Sequence, residues 1–205
     1  MKKILLLGDS IRLGYDRYVE MAFEGCAEVY YPKENCRYIT NLIRGLPEWA
    51  KECGAEVDCV HWNAGLWDVR YLEDGERLTP IEAYGICIDR ACRMIRAFFP
   101  KAKVVFATST AVDEGAFGDF IKRYNADIEA YNAVAAEVVA RHGFGVNDLY
   151  AVTRPLGAEY HSDATHYYTV GGTKLLTEAV VRVLEEQTGL CAKKLDYENV
   201  FHWEA

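Results

Sequence analysis

A three-layer α/β/α fold, built on a doubly wound parallel sheet of five strands, is what this chain predicts, on three observations. Short apolar runs alternate along the sequence with longer segments of helical period. The runs are apolar on both faces of a strand, as in a parallel sheet covered by helices on each side. At 205 residues and 51% hydrophobic content, the chain can bury one substantial core.

The elements follow in order. The run at 3–8, KILLLG, reads as a buried strand that stops at Gly8, and 15–24 reads as a helix. A strand at about 27–31 (AEVYY) precedes a helix at 40–53, and a strand at 57–63 (VDCVHWN) precedes a helix at 80–99. The β-branched run KVVFATS at 103–109 is the fourth strand. It leads to a helix at 120–142, whose Ile121, Ala126, Ile128, Tyr131, Val134 and Val138 recur at helical spacing. A last strand at about 145–149 (GVNDL) and a helix at 169–188 complete the alternation. Residues 1–188 form the expected domain, and 189–205 an aromatic tail packed on it or extending from it. The loops 64–79 and 110–120 are long enough to wall a binding site.

Composition narrows the function classes. A formal net charge of −8, with no Lys/Arg-rich run, argues against nucleic acid as a partner. No segment has the roughly 18 consecutive apolar residues of a membrane helix, and the start shows no signal-peptide core, so no membrane insertion and a cytoplasmic location are expected. Seven cysteines without a CxxC pair, and histidines without clustering, fit neither a zinc site nor a disulfide framework, so no metal is expected.

In a doubly wound sheet, ligands sit beyond the carboxyl ends of the strands, near the point where strand order reverses. The first such end reads GDSIRLG, Gly8 to Gly14. As a phosphate loop it lacks both the GxGxxG spacing and the P-loop lysine. As a nucleophile site it requires a base for Ser10, an acid to orient that base and donors for a developing oxyanion. Far along the chain, YHSDATHYYTVGG places Asp163 three residues before His166, a spacing that lets the carboxylate meet one ring nitrogen and leaves the other for Ser10. The alternative for Ser10 is a helix cap, and for Asp163 an acid in a helix's first turn.

GDS after the first strand and DATH before the last helix resemble the first and last sequence blocks of the SGNH, or GDSL, hydrolase family. No GxSxG elbow is present, which separates the chain from the α/β-hydrolases. The resemblance implies a flavodoxin-like sheet, no cofactor, a small-molecule ester substrate, and Ser10, His166 and Asp163 as catalytic residues. It also implies an oxyanion hole made by the Ser10 N–H, a second-block backbone N–H and a third-block asparagine. The middle blocks depart from the pattern. In HWNAGLWDV, Gly65 and Asp68 match, but Trp67 stands where asparagine is usual, so Asn63 is the substitute donor. In ENCRYITNL, which has no glycine, the Cys36 N–H is the second-block candidate. Asp9, Arg37, Trp67 and Asp68 are expected around the substrate. A serine esterase acting on a small O-acyl ester, with an acetylated carbohydrate preferred for its fit to aromatic residues and Arg37, is the expected function. Lysophospholipase or thioesterase chemistry, and a non-catalytic binding module on the same sheet, are the alternatives.

Overall fold

A computed structural model describes residues 1–54, 56–118 and 121–202. Its sheet has five strands, β1 (Lys2–Leu7), β2 (Ala27–Tyr30), β3 (Cys59–Trp62), β4 (Lys103–Ala107) and β5 (Gly145–Asn147), all parallel, in the order β2-β1-β3-β4-β5. The predicted five-stranded doubly wound sheet is therefore the observed one. The helices are α1 (Ser10–Leu13), α2 (Asp16–Ala22), α3 (Ile39–Cys53), α4 (Ile81–Phe98), α5 (Asn125–Arg141), α6 (Leu149–Thr153), α7 (Val170–Thr188) and α8 (Tyr197–Val200). Helix α4 packs on α3 and α5, and α7 packs on α2 and α6, which makes the two layers that cover the sheet.

The two-faced apolar runs explain the core. Ile4, Leu5, Leu6 and Leu7 of β1 are all buried, a contribution of roughly 1.5–3 kcal/mol for each such side chain before the entropy of ordering it is counted. Trp62 of β3 meets Phe106 of β4 edge to face, 4.9 Å between ring centroids. Strand order turns around at β1, which has β2 on one side and β3 on the other. The ends of β1 and β3 thus lie at the switch point, where Gly8, Asp9, Ser10 and Asn63 emerge.

Three short helices and several boundaries differ from the expectation. The Asp9 side chain accepts a hydrogen bond from the Ile11 amide and so opens α1 directly after β1. The expected last strand ends at Asn147, because Asp148 caps α6 through the Ala151 amide. Helix α5 begins at Asn125, and position 120 of its expected range lies outside the described residues. Of the tail, Tyr197 is buried, and the Tyr18 hydroxyl both donates to the His202 carbonyl and accepts from its amide. Residues 203–205 lie outside the described residues. No helix among the described residues is long and apolar enough to cross a membrane.

Candidate active site

Ser10 is the first residue of α1, one position past the cap, so its hydroxyl is not consumed in starting the helix. The two glycines of GDSIRLG are sites of close approach. A Cβ on Gly8 would stand 1.9 Å from Asn63 Oδ1, and one on Gly14 would stand 2.7 Å from the Tyr168 ring. Space left by Gly14 lets the Tyr168 hydroxyl donate to the Ser10 carbonyl, which ties the start of α1 to the segment before α7. Below this turn Arg12 is fully buried, ion-paired with Asp16, and donates to the Pro32 and Glu34 carbonyls.

The segment before α7 brings the histidine. Asp163 accepts from the amides of Thr165 and His166 through Oδ1, which closes a tight turn. Its Oδ2 lies 2.7 Å from His166 Nδ1, and His166 Nε2 lies 2.7 Å from Ser10 Oγ. Three side chains separated by up to 156 positions are therefore joined in one hydrogen-bonded line. The Tyr168 ring stacks on the imidazole, 4.7 Å between centroids at 16°. Partial burial pushes the Asp163 carboxyl up, but the His166 ring and the two amides together pull it below the ordinary carboxylate range. The carboxyl is thus ionised at neutral pH.

A cavity of about 460 Å³ opens beside this line. Ser10, Asp163, His166 and Trp67 border it, as do Phe117 and Ile121. The sequence places the first four at the site. Arg70 and Arg123 also border the cavity, and neither carries a motif or an informative spacing. Tyr168 was missed as well, although its position two residues after His166 is a usable signal.

The remaining expected site residues lie elsewhere. Asn63 is buried and its Nδ2 donates to Asp9 Oδ1 at 2.8 Å, so the amide faces the end of β1 and does not border the cavity. The Cys36 amide donates to the Gly8 carbonyl at 3.0 Å, while its sulfur accepts from the Gly8 amide at 3.4 Å. The Cys36 amide and one Nδ2 hydrogen of Asn63 are thus engaged in holding loops to the sheet, while Asn63 Oδ1 has no partner. Asp9 is fully buried; burial raises its carboxyl above the ordinary range, against the hydrogen bonds from Asn63 and Ile11. Asp68 is buried too, and it accepts from the Ile39 amide and from Thr79 Oγ1 at 2.7 Å. Burial pushes its carboxyl up to about 7. Both acids are loop fasteners inside the protein and neither reaches the cavity. Arg37 is exposed on a left-handed backbone, φ 56°, and its side chain does not border the cavity.

No protein-family model and no curated protein sequence matches the chain. Solved structures do resemble it. A lipase/acylhydrolase from Enterococcus faecalis superposes with a TM-score of 0.73 at 23% identity, over 95% of this chain and 100% of that one. A GDSL-like lipase from Bacteroides thetaiotaomicron gives 0.69 at 18% identity, over 90% and 88%. An acetyl xylan esterase gives 0.69 at 15% identity, over 89% and 99%. At these identities the likeness is one of fold.

Proposed function

We propose that the protein is a serine esterase of the SGNH type, with Ser10 as nucleophile, His166 as general base and acid, and Asp163 as the orienting carboxylate. The observation that carries this is the line Asp163 Oδ2, His166 Nδ1, His166 Nε2, Ser10 Oγ, with 2.7 Å at both links. The folds of the lipases and esterases named above support it by analogy. His166 takes the Ser10 proton as Oγ attacks the ester carbonyl, and the tetrahedral oxyanion collapses to acyl-Ser10 as the alcohol leaves with that proton. Water then attacks the acyl carbonyl, gives a proton to His166, and the acid departs as Ser10 regains its hydrogen. The Ser10 amide, the first of α1, has no partner within its helix and is assigned to donate to the developing oxyanion.

A small O-acyl ester fits the cavity. The acetylated-carbohydrate preference keeps the support of Trp67 on the wall and loses that of Arg37, which lies off the cavity. Phe117 and Ile121 beside Ser10 favour a longer acyl group, as in lysophospholipid or thioester substrates. The engagement of Asn63 and Cys36 with Asp9 and Gly8 favours a second reading, a binding module without turnover. Labelling by a fluorophosphonate probe, mapped to Ser10, together with hydrolysis of acetyl, butyryl and octanoyl nitrophenyl esters, tests the esterase. A folded protein that neither labels nor hydrolyses any of them is the binding module.

A further inference from the structure

Two arginines are buried among the described residues, and their surroundings differ. Arg12 has Asp16 as counter-ion and two carbonyls as acceptors. Among the described residues Arg123 donates only to the Leu66 carbonyl and to Thr165 Oγ1, both uncharged. The carboxylates that its charge senses are Asp9 and Asp163, and these are committed to Asn63 and Ile11, and to His166 and Thr165. Arg70 lies close enough to repel it, and Arg70 Nε is itself buried with no hydrogen-bond partner. No ion pair holds either arginine among the described residues, whereas Arg12, Arg77, Arg93, Arg141 and Arg154 each have an acid.

Two neighbouring guanidinium groups on one cavity wall, one buried and one half-buried, with no counter-ion among the described residues, are costly to hold unless an anion completes the site. Both border the same cavity as Ser10 and His166. We propose that Arg70 and Arg123 receive an oxyanion carried by the substrate, so that the enzyme acts on esters bearing a carboxylate or phosphate a few bonds from the scissile carbonyl. This rests on the esterase reading above. Arginine suits the task because its planar fork matches carboxylate and phosphate oxygens. The chain's net charge of −8 repels anions at long range, so recognition of one requires such a local cationic pair.

The test compares matched esters that differ by one charge. Nitrophenyl hydrogen glutarate is set against nitrophenyl methyl glutarate, with the anion on the acyl side. A butyrylglycerol phosphate is set against butyrylglycerol, with the anion on the alcohol side. The wild type is expected to favour the anionic member of at least one pair in kcat/KM by roughly ten- to a hundredfold, the effect of one or two charge-assisted hydrogen bonds. The favoured pair tells which side of the ester carries the charge. Because Arg123 also ties Leu66 to Thr165, Arg70→Gln is the primary variant. It should bring the ratio toward one by lowering kcat/KM on the anionic member far more than on the neutral one, and Arg70→Lys should retain part of the ratio. A wild-type ratio at or below one in both pairs overturns the proposal, as does a ratio that survives both Arg70→Gln and Arg123→Gln. Equal loss on neutral and charged esters in Arg123→Gln, with Arg70→Gln silent, assigns Arg123 to the reacting carbonyl and also overturns it. If no ester is hydrolysed and no probe labels Ser10, the esterase reading falls. Calorimetry with glutarate and Ser10→Ala protein then decides the anion site alone: binding lost in the Arg70→Gln double variant supports it, and no binding overturns it.

Discussion

The Ser10–His166–Asp163 side of the candidate site and the side where an oxyanion donor is expected are built in opposite ways. On the first, Ser10, His166 and Asp163 turn their polar atoms toward one another and border open space. On the second, Asn63, Cys36, Asp9 and Asp68 are buried, and each closes at least one hydrogen bond within the protein. Aspartate serves in both places. What separates them is where unspent hydrogen-bonding capacity faces, since a group whose donors are already engaged inside the core is costly to redirect toward a ligand.

If the proposed esterase reading holds, the largest effects are expected on the Ser10–His166–Asp163 side. Ser10→Ala and His166→Ala should each lower esterase turnover on the order of a millionfold, as when one member of a catalytic unit is removed, with thermal unfolding little changed. Asp163→Asn should cost roughly ten-thousandfold, by favouring the wrong tautomer of His166. Turnover in Ser10→Ala within tenfold of wild type would end the assignment.

On the other side, the response should be in stability. Burial raises Asp68 from its ordinary 3.8 to about 7. The native state therefore holds a proton that the unfolded chain has released, and the stabilisation is complete below about pH 4 and lost as pH rises through about 7, by up to roughly 4 kcal/mol. Burial pushes His61 the other way, down to about 3. Its native form stays neutral while an unfolded histidine gains a proton below about 6.5, so stability is lost as pH falls from there. The two slopes oppose each other between roughly pH 4 and 6.5. Urea unfolding across that range should therefore show stability rising more steeply with pH in Asp68→Asn than in wild type, and falling with pH in His61→Gln. Parallel curves for wild type and Asp68→Asn would mean that Asp68 is ionised throughout.

Asn63→Ala sharpens the contrast further. It removes a donor from Asp9 Oδ1 in a site where Oδ2 already has no partner. The expected loss is about 2–4 kcal/mol of unfolding free energy. A variant of undiminished stability whose turnover falls a hundredfold would return Asn63 to the oxyanion. The smallest effect is expected at Arg37, a non-glycine residue at φ 56°. Arg37→Gly should relieve about 1 kcal/mol of left-handed strain, offset in part by the entropy of glycine, and leave neutral-ester hydrolysis unchanged. A denaturation midpoint that falls would show that the Arg37 side chain contributes more than its backbone costs.

The alternating apolar runs were enough to determine the parallel sheet, because a strand buried on both faces leaves an unbroken hydrophobic record. Ser10, Asp163 and His166 were legible for a similar reason. Asp163 and His166 meet within one local turn, and Ser10 follows a strand end, so each has a short-range signature. Boundaries such as the early start of α6 hung on a single capping side chain, Asp148, whose preference is local but shared with ordinary turns. Only the tertiary structure decided which polar residues remain available. Asn63 is drawn to Asp9 across 54 positions, and Arg123 is carried to the cavity wall by the Leu66 carbonyl across 57. Whether a donor is spent or free depends on partners brought near by the whole fold, and no window of sequence contains them.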